Sequence, residues 1–333
     1  MAKPLVYQTT STDPCRNIAT ERVLMDAVGP GECILYLWQN RNTIVIGRNQ
    51  NAWKECRVAE FEKDGGRIVR RLSGGGAVFH DMGNLNFTFI AHKQDYDFSR
   101  QMKVLCDAVR SFGLEAEFTG RNDILIDGAK FSGNAFLTIK DVRYHHGTLM
   151  IKVDKEKLAR YLNPDAKKIA SKGVASVKSR VVNLQDLCPE ITVDSLGQAL
   201  IASFEREYGD GLAAQIIHDD YFDAAARDAY EEKLSSWEWI FGHTVEFTHA
   251  FSERFAWGDL DARLVVDDGK INSVRIYSDA LDADLILRIA SSWEGLCYDA
   301  AALEEALDSI QSGSESQDYM LRDVKELVQA QFN

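Results

Sequence analysis

Proline is scarce in this chain, 5 residues in 333, and cysteine pairs are absent. With 45% apolar residues, the low proline count excludes a disordered, proline-rich class and leaves a chain able to bury a sizeable core. The six cysteines, Cys15, Cys33, Cys56, Cys106, Cys188 and Cys297, are scattered, with no CxxC and no histidine at zinc-site spacing. Free thiols in a reducing compartment are therefore expected. No apolar run approaches the ~18 residues of a membrane span, and the N-terminus lacks a hydrophobic leader. The cytoplasm is the expected location, with no membrane partner. Positive charge is also in deficit: 38 Lys and Arg against 51 Asp and Glu give a net charge of -13. That argues against a general nucleic-acid binder but allows a local basic pocket. The length fits one large or two moderate domains.

Two familiar phosphate motifs are missing as well. Gly74 is followed by Gly-Gly-Ala-Val-Phe, so there is no GxxxxGK[ST]. Phe79 occupies the third-glycine position of GxGxxG, and a strand-like run follows where that motif needs a helix.

What is present is a different glycine-rich stretch, Arg70-Arg71-Leu72-Ser73-Gly74-Gly75-Gly76-Ala77-Val78-Phe79-His80-Asp81. It reads as strand, loop, short strand, turn and strand. Glycines have no side chains to hold a ligand away, so backbone N–H groups can approach an anion closely. The two arginines at its entrance carry planar donors suited to phosphate or carboxylate.

Around this loop the pattern alternates strands and helices. Asp13-Pro14 opens a helix that ends at Gly29-Pro30. Residues 33–38 and 43–47 read as strands buried on both faces, and Arg48-Asn49-Gln50-Asn51 as a polar tip that is either a solvated turn or part of a site's lining. Helices are expected over 52–64, 98–112, 154–162 and 194–208. Asp127-Gly128 is a hairpin turn that places Lys130 at the start of the returning strand, with Asn122 and Asp123 across from it. His145 and His146, adjacent on a strand, must face opposite sides: one core or surface histidine and one pocket histidine. The basic segment 167–180 reads as a solvated loop, a lid over a polyanion or a dock for an acidic partner. A boundary is expected near 241–247, followed by strands and then helices.

Taken in order, Arg70–Asp81 (RRLSGGGAVFHD), Gly120–Asp123 (GRND), Lys130–Gly133 (KFSG), His145–Leu149 (HHGTL), Tyr161–Pro164 (YLNP), Lys172–Arg180 (KGVASVKSR), Ser235–Trp239 (SSWEW) and Glu253–Gly258 (ERFAWG) spread over nearly the whole chain. With them the sequence resembles the lipoate–protein ligase A family, in its long bacterial form. The resemblance implies an α/β (α+β) fold: a mixed-sheet catalytic domain like that of biotin–protein ligases over 1–245, and a small α+β accessory domain over 246–333. It implies that lipoate and Mg-ATP give lipoyl-AMP and pyrophosphate, and that a lysine of an acceptor then takes the acyl group. The implied acceptors are apo lipoyl domains of 2-oxoacid dehydrogenase complexes and the glycine-cleavage H protein. Lys130 becomes the catalytic candidate. Arg71, Gly75, Gly76, Ala77, Val78, Phe79, Asn122 and Asp123 join it for ATP and the adenylate; Leu72, Ser73 and His146 join it for lipoate. The metal ligands are left open. No Ser/His/Asp or Cys/His arrangement is visible, which fits a reaction without a covalent enzyme intermediate. Two other readings are an ATP-independent acyl transferase, which normally needs a catalytic cysteine, and a noncatalytic binding module.

Overall fold

The computed structural model of the protein describes residues 2–119, 123–162, 181–241, 248–267 and 269–332. The strands preceding the main hairpins are β1 (Lys3–Gln8), β2 (Glu32–Trp38), β3 (Thr43–Ile46), β4 (Arg67–Arg70), β5 (Val78–His80) and β6 (Asn84–His92). They are followed by β7 (Glu117–Thr119), β8 (Asp123–Ile126), β9 (Ala129–Ile139), β10 (Val142–Met150) and β11 (Gln215–Ile216). The last three are β12 (His249–Phe255), β13 (Gly258–Asp267) and β14 (Lys270–Ser278). An eight-stranded mixed sheet has the order β11-β1-β2-β6-β10-β9-β8-β7; β4-β3-β5 forms a second sheet and β12-β13-β14 a third.

The large sheet has two covered faces. On one, Phe87, Phe89 and Leu149 pack with Leu105 and Phe204 of the helices Phe98–Arg110 and Val193–Tyr208. On the other, Tyr36, Ile90 and Tyr144 pack with Ile18 and Leu24 of the helix Pro14–Ala27. That helix starts where the sequence places it: Asp13 accepts from the N–H groups of Cys15 and Arg16 with proline at the first helical position, a cap typically worth about 1 kcal/mol. The Asp127-Gly128 turn is also as expected. Both residues have positive φ, 49° and 77°, the geometry that joins two antiparallel strands with two residues. The stretch 52–64 departs from the expected single helix: it breaks into Ala52–Glu55 and Val58–Lys63, with Cys56 bridging to Leu162 between them.

The two adjacent histidines do take opposite faces. His145 lies in the core beneath Phe98 and Phe136, bonded to Gln101 and Asn134. His146 faces the helix Pro14–Ala27. Burial, and secondarily the neighbouring His146, pushes the His145 pKa down to about 3. The unfolded chain thus binds a proton below the ordinary histidine pKa that the folded chain refuses. Stability carried by His145 is complete above pH ~6.5 and is lost as pH falls toward the folded value. Urea unfolding should show a midpoint that drops between pH 7 and pH 4, and His145→Gln should flatten that drop.

The third sheet has its own core, built on Leu260, Leu264, Ile276, Ile289, Trp293 and Val324, with helices Ala283–Trp293, Ala300–Asp308 and Glu315–Phe332 on it. The Glu253–Gly258 motif holds the end of β12 and the two-residue turn, Ala256-Trp257, into β13. The polar tip after β3 is not a solvated turn. Asn49 accepts from Ser278 N–H and donates to Ala283, and Arg48 pairs with Asp284 at 2.8 Å. It is the seat on which the third sheet rests. Residues 242–247, where the boundary is expected, lie outside the described residues.

Candidate active site

The glycine loop is held from below by one arginine. Arg71 is buried, and Nε donates to Ser73 Oγ (3.0 Å) and Gly74 O (3.1 Å). Nη1 donates to Val45 O (3.2 Å), and Nη2 to Gly74 O (2.6 Å) and Gly76 O (2.9 Å). A trans peptide points its C=O and N–H in opposite directions. Gathering the Gly74 and Gly76 carbonyls onto Arg71 therefore turns the Gly75 and Ala77 N–H groups away from it. The Gly75 N–H donates to Ala280 O at 3.0 Å. Burial lowers the Arg71 pKa to about 10, which leaves it cationic at neutral pH.

The glycines are required by close approach. A Cβ on Gly74 would sit 2.3 Å from Ala280 O, and one on Gly47 2.0 Å from Gly75 O. Gly75 has φ of 91°, in the left-handed region.

Facing the loop is the β8–β9 hairpin. Lys130 Nζ lies 2.6 Å from Asp123 Oδ1. Its ammonium runs back over Gly133, where a Cβ would meet Nζ at 3.0 Å. The KFSG spacing thus makes room for the lysine. The Lys130 and Asp123 side chains are about one-third exposed (35% and 34%), so their pairing orients the ammonium more than it stabilises the fold.

Between loop and hairpin is a cavity of about 340 Å³, in the range of small-molecule sites. Arg71, Gly75, Gly76, Ala77, Val78, Asp123, Lys130 and His146 all line it. Asn122 lies outside the described residues. Three expected residues lie elsewhere. The Phe79 ring packs against Phe61 in the core of the small sheet, because on β5 it points opposite to Val78 and His80. Leu72 packs into the core beneath the helix Pro14–Ala27. Ser73 is fully buried and reaches the cavity only through the lining side chains it bonds, His146 and Arg71.

The sequence reading misses the polar chain behind that serine. Ser73 Oγ is 2.7 Å from His146 Nε2, and His146 Nδ1 is 2.8 Å from Glu21 Oε1. Thr88 donates to the same Glu21 oxygen at 2.6 Å, and Trp38 Nε1 donates to Thr88 at 3.0 Å. A Ser/His/Glu line therefore exists, contrary to expectation. Its serine has no exposed surface and its Oγ already accepts from Arg71, so the line holds the loop and is not a nucleophile. The available signal is Glu21 itself, a carboxylate three residues after Ile18 and three before Leu24 on an apolar helix face. Arg254 is the second omission. It lines the cavity from the third sheet, held by Asp279 at 3.1 Å from both carboxylate oxygens. None of the six cysteines lines the cavity; burial pushes Cys15 up to about 11, and Cys33 and Cys56 up to about 12. Among the described residues no cluster of three His, Cys, Asp or Glu could hold a metal, and no helix is long and apolar enough to cross a membrane.

Comparison with known proteins decides the family. The model of the lipoyl protein ligase A/B catalytic domain matches residues 13–205, and that of the bacterial lipoate protein ligase C-terminus matches 244–328. The chain belongs to the lipoate–protein ligase family. It is therefore an enzyme of the ligase class, and its mixed α/β fold is the one this family shares. It is 38% identical over 332 residues to lipoate-protein ligase A of Bdellovibrio bacteriovorus, covering 98% of both chains. The crystal structure of P. falciparum LipL1 in complex with lipoate is similar with a TM-score of 0.86 and 29% identity, over 97% of this chain and 99% of that one. A bi-partite lipoate protein ligase from Thermoplasma acidophilum, described with its E2 lipoyl domain, matches 74% of this chain and 99% of its own at 25% identity and a TM-score of 0.63.

Proposed function

We propose that this cavity binds lipoate and ATP, forms lipoyl-AMP with release of pyrophosphate, and passes the lipoyl group to a lysine of an apo lipoyl domain. Two anions, a carboxylate and an α-phosphate, must meet here; at ~4 Å and an effective dielectric of ~20 they repel by about 4 kcal/mol. The observation that carries the reading is the Lys130 ammonium on the cavity wall that faces the glycine loop. In the first step it bridges carboxylate and phosphate. In the second it holds the acyl carbonyl oxygen while the acceptor amine attacks carbon and AMP leaves. Arg71 acts on the nucleotide chiefly by shaping the loop, with Gly75, Gly76, Ala77 and Val78 against the adenylate. His146 and Val78 wall the acyl side. Magnesium arriving with ATP needs only one or two carboxylates besides phosphate oxygens, and Asp123 and Asp279 are the carboxylates that line the cavity.

We further assign residues 1–245 to catalysis and 246–333 to an accessory domain; the separate cores and the two matched family models support this division. Acceptors in this reading are lipoyl domains of 2-oxoacid dehydrogenase complexes and the H protein, and the compartment is the cytoplasm. The lack of a cavity cysteine favours a ligase over an acyl transferase.

The test is incubation with lipoate, ATP and labelled pyrophosphate, then with an apo lipoyl domain. Label should enter ATP only when lipoate is present, and the domain should gain the acyl mass. Acyl transfer from a carrier protein without ATP, and no exchange, would refute the reading. In the same assay Gly47→Ala should lower exchange roughly a hundredfold, because the new methyl displaces the Gly75 carbonyl and misplaces the loop.

A further inference from the structure

A second cavity, of about 260 Å³, lies where the third sheet meets the polar tip after β3, and it shares no lining residue with the active-site cavity. One of its walls is Arg70, the arginine of the glycine motif that the proposed mechanism does not use. Arg70 is 8% exposed. Its Nε donates to Trp239 O at 2.9 Å, and its Nη1 to Gly47 O, Arg48 O and Gln50 O at 3.0, 2.9 and 2.7 Å. Its Nη2 donates to Ile240 O. All these acceptors are neutral main-chain carbonyls, so the charge has no carboxylate partner among the described residues. Burial, and then the charge of Arg275, lowers the Arg70 pKa to about 10, which leaves it cationic at neutral pH.

Two more arginines line the cavity. Arg48 is paired with Asp284. Arg275 is exposed on β14, directly across from Arg263 in the β13–β14 register, and Arg263 is bonded to Asp261 at 2.7 Å. Like charges face to face on a sheet repel, and the Arg275 guanidinium has no hydrogen bond or ion pair among the described residues. Strand alternation puts Tyr277 on the same face of β14 as Arg275. Its hydroxyl also lacks a partner among the described residues. Both side chains are open to solvent, Arg275 exposed and Tyr277 half-buried.

Among the described residues that line the cavity, Glu238 is the one carboxylate. Three guanidiniums against it leave the cavity cationic in a chain of net charge -13. A concave surface of one sign concentrates the opposite charge. The remaining walls include the rings of Trp239 and Phe241. Trp239 Nε1 donates to Arg70 O at 2.9 Å, and Phe241 stacks on Trp53 with centroids 5.1 Å apart, so both rings are fixed in place.

We propose that this cavity is a second ligand site, for a small anion that carries a planar ring. The anionic group sits on the Arg275 guanidinium and the Tyr277 hydroxyl, with the Arg70 charge behind them, and the ring lies against Trp239 and Phe241. The walls come from the tip after β3, the helix Trp237–Ile240 and the third sheet. A ligand that needs all of them binds only the arrangement in which the third sheet is seated, and stabilises it. The site does not depend on which acid the first cavity activates.

The probe is phenyl phosphate, which has both parts and lacks an acyl chain and a nucleoside. Isothermal titration of the full chain should detect its binding, with inorganic phosphate about tenfold weaker for want of the ring. Arg275→Gln should weaken phenyl phosphate by about tenfold or more, the loss of a charge-assisted bond, and Tyr277→Phe should weaken it to a lesser degree. Lys130→Ala, in the other cavity, should leave this binding unchanged. The probe should also raise the Tm of the wild-type chain and not that of Arg275→Gln. Arg275 bonds to nothing in the fold, and Tyr277→Phe removes only a hydroxyl, so at least one variant reports on a folded protein. No binding to the wild-type chain would overturn the proposal, as would binding that Arg275→Gln and Tyr277→Phe leave intact or that Lys130→Ala abolishes.

Discussion

Lys130→Ala abolishes lipoate-dependent pyrophosphate exchange while the protein stays folded: this is the largest effect expected of a single substitution. The lysine is half-buried at a hairpin start, and its ion pair with Asp123 is partly solvated, so the fold loses about 1 kcal/mol or less. The reaction loses its means of joining two anions. One preorganised donor is typically worth about 10²–10³ in rate, and in the proposed mechanism the same ammonium serves both half-reactions. Exchange should fall by roughly 10³, with transfer from supplied lipoyl-AMP falling as well. Lys130→Arg should recover little, because a planar guanidinium does not fit the space over Gly133 that a narrow ammonium occupies. Exchange within tenfold of wild type in Lys130→Ala would remove the lysine from its assigned place.

Arg71 should be nearly as costly for a different reason. Its guanidinium gathers three carbonyls and one hydroxyl from two segments of chain. Each buried acceptor left without a donor costs about 1–3 kcal/mol. Arg71→Ala should therefore lose about 4 kcal/mol or more of stability in urea unfolding and show no exchange. The informative variant is Arg71→Lys. It keeps the charge, but three donors on one atom cannot span Val45, Gly74, Gly76 and Ser73 together. Exchange should fall roughly a hundredfold or more although the charge remains. A lysine that restored activity would mean that Arg71 works as a point charge on phosphate and not as the strut of the loop.

How much of this was legible depends on the range of the signal. The Asp127-Gly128 turn, the Asp13 cap and the strand–loop–strand run around the glycines are local, and local rules place them. The opposite facing of His145 and His146 follows from strand alternation alone. The same alternation also sends Phe79 away from the cavity, and attention to parity along Val78-Phe79-His80 separates it from its neighbours. Glu21, His146 and Ser73 are far apart in the chain and meet only after the helix Pro14–Ala27 packs on the sheet; no spacing rule foretells that. Arg254 is brought to the cavity by the docking of one sheet against another. The ordered motifs point to the family, whereas these partners come from tertiary packing.

The unbroken chain of contacts from Trp38 through Thr88, Glu21, His146 and Ser73 to Arg71 makes one wall of the cavity and the glycine loop a single mechanical part. Widening one end for a bulkier acid loosens the other, and changes along the line will not add. A double-mutant cycle of Glu21→Gln with Ser73→Ala should show an interaction term in the range of about 0.5–3 kcal/mol. A lineage that alters this chamber must therefore replace its members in concert.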